Sequence, residues 1–74
     1  IKTQFLEKLT VLANDPGKYE QIDSWIMGQE ISGFPEEIKD VWGSWVSISD
    51  QYIDGKIDQK GLQERAIKLR DSIK

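Results

Sequence analysis

Hydrophobic residues recur along this chain with the period of an amphipathic helix, in four separate segments. In the first segment, Phe5, Leu9 and Leu12 follow at spacings of four and three, which places them on one helical face. No segment alternates hydrophobic and polar residues for long enough to indicate a β-strand. The pattern predicts an all-α fold, a compact bundle of three to four short helices in one domain over residues 1–74. The expected helices are 3–13, 16–28, 35–54 and 59–73.

The connection between the third and fourth helices has the clearest signals. Asp58 is a favourable N-cap, with Ile57 before it and Leu62 four residues beyond, the arrangement of a hydrophobic staple. Gly55 is expected to end the third helix just before this start. We therefore predict a long third helix joined to the fourth in a tight antiparallel hairpin.

Other turn residues mark the second helix and interrupt the third. Asp15 and Pro16 suit the start of the second helix, as a cap followed by a first-turn proline. Either Gly28 or Gly33 is expected to end it in a left-handed conformation. Gly43 lies inside the third helix, at a cost of about 1 kcal/mol relative to alanine. A glycine there indicates either that another backbone approaches closely or that loose packing is tolerated at this position.

The chain has three tryptophans in 74 residues. We expect the burial of these large side chains, in a core or against a partner, to be the main interaction of the chain. Trp25 is expected in the buried stripe of the second helix, across from the tryptophans of the third. The third helix carries an apolar band that exceeds the ~100° stripe facing a core. Trp45 is the better core candidate, whereas Trp42 is the residue expected to remain exposed. The band comprises Ile38, Val41, Trp42, Trp45, Val46, Ile48, Tyr52 and Ile53.

Charge narrows the range of partners. The chain has 13 acidic and 10 basic residues, a net charge of −3, divided as −6 over residues 1–58 and +3 over residues 59–74. These basic residues suit the C-terminal end of the last helix, where the helix dipole is negative. The alternative interpretation is a small basic patch that docks an acidic partner. An acidic chain is a poor ligand for phosphates, so no nucleic acid is expected. No apolar run is long enough to span a membrane, and no signal peptide is visible.

The residue types present argue against catalysis. The chain has no cysteine and no histidine, which removes disulfides, the usual zinc ligands and the commonest general base. Carboxylates pair at helical spacing, Glu36 with Asp40 and Asp50 with Asp54, but on a solvated face they are simply charge. We expect no enzymatic activity and no cofactor. The lack of cysteine slightly favours the cytoplasm without excluding secretion.

The turn after the third helix matches part of the calcium loop of an EF-hand. Asp50, Asp54 and Asp58 stand at loop positions one, five and nine. Positions three and twelve, which need oxygen ligands, are occupied by Tyr52 and Gly61. A capped inter-helix turn is the favoured interpretation, and a degenerate calcium-binding hairpin ranks third among the functional hypotheses.

These observations predict a small acidic protein–protein interaction module, such as an adaptor, inhibitor, immunity-type or assembly protein. The alternative is a structural or self-associating domain of a larger protein, or a homodimer, so the partner is another protein or a second copy. The chain opens with Ile1 rather than methionine, which suggests a processed chain, a trimmed one or a piece of a longer protein. The expected partner-binding residues are Trp42, Trp45, Val46 and Ile53. Orientation and association rate are expected to be set by the acids of residues 36–40, with Glu36 and Asp40 foremost, or by those of residues 50–58.

Overall fold

The computed structural model describes residues 2–73, which form four α-helices and two short 3₁₀ turns. Within this range there is no β-strand, so the predicted all-α bundle is confirmed. Ile1 and Lys74, the latter counted in the basic C-terminal stretch, lie outside the described residues. The order along the chain is α1 (Lys2–Asn14), a 3₁₀ turn (Pro16–Lys18), α2 (Tyr19–Met27), a second 3₁₀ turn (Ile31–Gly33), α3 (Glu36–Ile53) and α4 (Gln59–Ser72).

Helix α4 packs most extensively on α1 and also lies along α3. The side-chain amide of Gln63 donates to the backbone carbonyl of Ala13 at 2.9 Å, which joins the start of α4 to the end of α1. Arg65 donates to the side chain of Gln51 at 3.0 Å, which joins the first half of α4 to the end of α3. Helix α4 therefore runs antiparallel to both neighbours.

The predicted turn between α3 and α4 has its expected caps. Gly55 adopts φ 75°, the left-handed conformation that terminates a helix without a steric penalty. The carboxylate of Asp58 accepts a hydrogen bond from the backbone N–H of Gly61 at 2.8 Å. Ile57 is partly buried against the core, as expected of a staple residue.

The core is built from one face of each helix, with Trp45 as its largest fully buried side chain. The stripe predicted for α1 is confirmed, and the prediction that Trp45 belongs to the core is also confirmed. Every buried side-chain polar atom among residues 2–73 has a hydrogen-bond partner. The buried hydrophobic residues are Phe5, Leu9, Leu12, Ile22, Ile26, Ile38, Val41, Trp45, Ile48, Leu62, Ala66, Leu69 and Ile73.

The second helix differs from the prediction at its start. Residues Pro16–Lys18 form a 3₁₀ turn, and α2 proper begins at Tyr19. The carboxylate of Asp15 accepts from the N–H of Gly17 at 3.0 Å, so it caps the 3₁₀ turn. Asp15 is thus a capping residue, as predicted, but it caps a 3₁₀ turn that precedes the α-helix.

The prediction that Gly28 or Gly33 ends α2 in a left-handed conformation is wrong. Gly28 has φ −79°, and Gly55 is the one glycine with positive φ between residues 2 and 73. The side-chain amide of Gln29 donates to the carbonyl of Trp25 at 2.9 Å. That bond satisfies a helix-end carbonyl that a left-handed glycine cap would otherwise serve.

The structure decides between the two interpretations of Gly43 and corrects the expected neighbour of Trp25. A Cβ added at Gly43 would meet no atom within 4 Å, so no other backbone approaches there. Trp25 packs edge-to-face on Phe5 of α1 with ring centroids 5.3 Å apart, and Nζ of Lys8 lies over the Trp25 ring, 5.3 Å from its centroid. Its aromatic neighbour is therefore in α1 and not in α3.

Candidate functional site

A shallow groove lies between α2 and α3, and we call it the α2–α3 groove. Its volume is about 130 Å³. Ile53 is 67% exposed and Met27 is 45% exposed, the two highest values among large hydrophobic side chains of residues 2–73. The groove thus presents apolar side chains to solvent beside carboxylates. It is lined by Asp23 and Met27 of α2 and by Val46, Ser49, Asp50 and Ile53 of α3.

Helix geometry explains why these side chains stay uncovered. Val46 and Ile53 are seven residues apart, close to two full helical turns, and therefore lie on the same side of α3. Helix α2 has nine residues against eighteen in α3, lengths of about 14 Å and about 27 Å. The shorter helix cannot cover the whole flank of the longer one, so part of the predicted apolar band remains exposed.

A polar cluster fixes the floor of the groove. Oδ1 of Asp23 accepts hydrogen bonds from Nε1 of Trp45 at 2.9 Å and from Oγ of Ser49 at 3.1 Å. Ser49 is buried, and its hydroxyl is also hydrogen-bonded to the hydroxyl of Tyr19. Four side chains from two helices are thereby held in one arrangement.

The ring of Tyr19 completes this arrangement. It lies 6.0 Å from the Trp45 ring and 4.7 Å from the Tyr52 ring, centroid to centroid. Burial raises the pKa of Tyr19 above its usual value and is the largest cause of the shift. The hydrogen bond with Ser49 opposes this rise, whereas the nearby negative charge of Asp23 adds to it. Tyr19 is therefore neutral near pH 7 and keeps its hydroxyl proton for the bond with Ser49.

The two tryptophans of α3 take different positions. Trp45 is fully buried, so it supports the groove from beneath and does not itself reach the surface. Trp42 is half-buried, and its Nε1 donates to the carbonyl of Ile26 at 3.1 Å. The expectation that Trp42 is the exposed residue of the band is therefore corrected, since Ile53 is the exposed one and the Trp42 ring is held against α2.

Of the acidic residues expected to orient a partner, Asp50 lines the groove, whereas Glu36 and Asp40 lie apart from it. Glu36 is exposed and pairs with Lys39 at 3.7 Å within α3. Asp40 lines a second depression of about 180 Å³ between α3 and α4, together with Glu37, Val41, Ser44, Leu69 and Ser72. Of the residues predicted to bind a partner, the structure brings Val46 and Ile53 together in the groove.

Sequence reasoning missed Asp23, Met27 and Ser49 as groove residues. Asp23 and Met27 are four residues apart in α2 and therefore share one side of that helix. This spacing is the available signal, but it does not show which part of α3 they face. Ser49 contacts the Asp23 carboxylate, which lies 26 residues away in the sequence, so no local pattern indicates this partner.

The cluster of Asp23, Ser49 and Tyr19 links α2 to α3. Ser49 is buried, and the carboxylate oxygen that it contacts also accepts from the indole of Trp45. The arrangement therefore holds the two helices in register.

Residues 2–73 contain neither a cluster of metal-binding side chains nor a helix that could span a membrane. No group of three acidic side chains in residues 2–73 converges to hold a metal ion. In the turn compared with a calcium loop, Asp58 uses its carboxylate to cap α4. None of the helices described is both long and apolar enough to cross a bilayer.

Comparisons with known protein families, with functionally described proteins and with solved structures find no significant match.

Proposed function

We propose that this protein is a protein–protein interaction module that binds a segment of a partner in the α2–α3 groove and has no chemistry of its own. The observation that carries the proposal is the exposure of Met27 and Ile53 beside Val46, on a floor held by hydrogen bonds. Exposed apolar side chains that surround a concave surface are typical of interaction sites.

Charge determines the chemistry of the partner. Residues 19–58, which include α2 and α3, carry nine acidic and two basic residues, a net charge of −7. Asp23 and Asp50 line the groove itself. A partner segment should therefore present an aliphatic side chain flanked by lysine or arginine. Complementary charge would mainly speed association, whereas the apolar contact would slow dissociation.

The rigidity of the groove supports the same proposal. Trp45 and Ser49 both donate to Asp23, and Trp42 donates to the backbone of Ile26. These bonds tie α2 to α3 at two points, Asp23 and Ile26. A surface that is already ordered loses less conformational entropy when a partner binds.

The proposal is tested with a short amphipathic peptide of leucine and lysine, titrated into the protein by calorimetry, with a leucine–glutamate peptide as its counterpart. We expect saturable binding of the basic peptide only. The decisive variant is Ile53→Asp, which removes an apolar groove residue and adds a negative charge. Ser47→Asp is the matched control, because Ser47 is an exposed residue of α3 outside the groove and the added charge is the same.

The two variants separate a groove from general attraction of charge. If the groove binds the peptide, Ile53→Asp weakens binding by about tenfold or more, which corresponds to ~1.4 kcal/mol, and Ser47→Asp does not weaken it. If attraction by net charge alone accounts for binding, both variants strengthen it. That second result, or the absence of saturable binding, would overturn the proposal.

A further inference from the structure

Apolar and acidic side chains follow one another in a fixed order along the α3 side of the α2–α3 groove. Val46, Asp50 and Ile53 all line it. Asp50 follows Val46 by four residues and Ile53 follows it by seven, so the three lie on one side of α3. At the rise of a helix, Asp50 is about 6 Å and Ile53 about 10 Å along the axis from Val46. The groove thus offers an apolar, an acidic and a second apolar position in succession.

Helix α2 adds to two of these three positions. The indoles of α3 donate to the carbonyl of Ile26 and, three residues further along α3, to Asp23, so α2 and α3 run in opposite directions. Met27 therefore lies toward the Val46 end of the groove. The serine before Asp50 also donates to Asp23, at 3.1 Å, so both carboxylates lie in the middle of the groove.

The spacing of the three positions matches a helix better than an extended segment. Side chains at i, i+4 and i+7 share one face of a helix and extend over about 6 and about 10 Å, as the groove positions do. In an extended segment the side chains of one face are at i, i+2 and i+4, about 7 and about 13 Å from the first. An extended peptide also gains its main-chain hydrogen bonds at a sheet edge, and residues 2–73 contain no β-strand.

We infer that the groove binds an amphipathic helix of a partner protein, with aliphatic side chains at i and i+7 and a lysine or arginine at i+3 or i+4. The inference rests on the proposed function of the groove and adds the conformation and side-chain order of its occupant. The aliphatic side chains lie at the Val46 end and the Ile53 end. The cation lies between Asp23 and Asp50, which favours this helix over an acidic one.

Three alanine-rich peptides of equal length test the conformation and the order by calorimetry. The helix-spaced peptide carries leucines at i and i+7 and lysines at i+3 and i+4. The second peptide places the same leucines and lysines at alternating positions. The third keeps the helix-spaced order but has a proline at i+5, which breaks the helix. We expect saturable binding of the helix-spaced peptide and binding at least tenfold weaker for the other two.

The central cation is tested by Asp50→Asn together with a helix-spaced peptide whose lysines are replaced by glutamines. Asp50→Asn is expected to weaken binding of the lysine peptide by at least fivefold and that of the glutamine peptide by less than twofold. Asp40→Asn is the matched control, because Asp40 is an exposed acid of α3 outside the groove and the same charge is removed. It should change binding of the lysine peptide by less than twofold.

The outcomes separate this inference from the proposed function. If the alternating or the proline peptide binds as tightly as the helix-spaced one, the helical occupant is excluded and the proposed function still stands. Equal weakening by Asp50→Asn and Asp40→Asn would assign the effect to net charge and overturn the central contact. Self-association of the protein that the helix-spaced peptide reverses would make a second copy the occupant, against the inference. Failure of every leucine–lysine peptide to bind would overturn the proposed function itself.

Discussion

Nε1 of Trp45 donates a 2.9 Å hydrogen bond to Oδ1 of Asp23, which ties the fully buried tryptophan of α3 to a carboxylate that lines the α2–α3 groove. A buried indole needs a partner for its N–H, and here the partner belongs to a different helix. Ser49 shares the same oxygen. The groove floor and the core are consequently one structure, so changes at Asp23 should affect stability as well as binding.

Replacing Asp23 separates hydrogen bonding from charge. Asp23→Ala leaves the donors of Trp45 and Ser49 without their acceptor and is expected to lower the free energy of unfolding by about 1–3 kcal/mol. Asp23→Asn retains an acceptor oxygen and should cost clearly less. Urea denaturation of both variants measures the difference. Equal losses would show that the charge, and not the acceptor oxygen, stabilises the contact.

The two tryptophans of α3 should respond differently to truncation. Trp45→Ala removes the largest fully buried side chain and is expected to cost ~3–5 kcal/mol, enough to unfold much of so small a domain. Trp42→Ala removes a half-buried ring and one hydrogen bond, and about 1–2 kcal/mol is expected. Thermal unfolding followed by circular dichroism compares them. A larger loss for Trp42→Ala would contradict the assignment of Trp45 to the centre of the core.

The cap of α4 offers a prediction with a close control. Asp58 accepts from the N–H of Gly61, so Asp58→Ala should lower stability by about 1 kcal/mol. Asp54 lies at the C-terminal end of α3, where a negative charge opposes the helix dipole. Asp54→Ala should therefore be neutral or stabilising by about 0.3–1 kcal/mol. Similar losses for both variants in chemical denaturation would argue against a specific capping role.

Gly43 should tolerate a larger residue. It lies inside α3, and a Cβ built there has no neighbour within 4 Å. Gly43→Ala is thus expected to stabilise the protein by up to about 1 kcal/mol, because alanine loses less backbone entropy on folding. The midpoint of urea denaturation should rise. A fall in that midpoint would mean that the open space at Gly43 is needed.

The sequence predicted those features of the fold that depend on local interactions. Asp58 and Gly55 were identified because capping and left-handed glycine involve residues within a few positions. Trp45 was assigned to the core from its position among the other apolar residues of α3. The end of α2 was missed because a side chain, that of Gln29, replaced the glycine cap that the local pattern suggested.

The groove was predicted only in part, since it depends on contacts between distant segments. Val46 and Ile53 were named from the width of the apolar band on α3. Asp23 lies 22 residues from Trp45 and 26 from Ser49, and nothing in either local pattern shows that they meet. Asp40 was grouped with the binding surface by its charge, whereas the structure places it between α3 and α4.

The most direct measurement of the central claim uses the single methionine of the chain, which lies in the groove. With the Met27 methyl group labelled with carbon-13, the protein gives one methyl signal. We predict that the leucine–lysine peptide shifts this signal saturably, with the same dissociation constant as calorimetry, and that the leucine–glutamate peptide does not. A Met27 signal that stays unchanged while calorimetry reports saturable binding would place the interaction elsewhere and contradict the account.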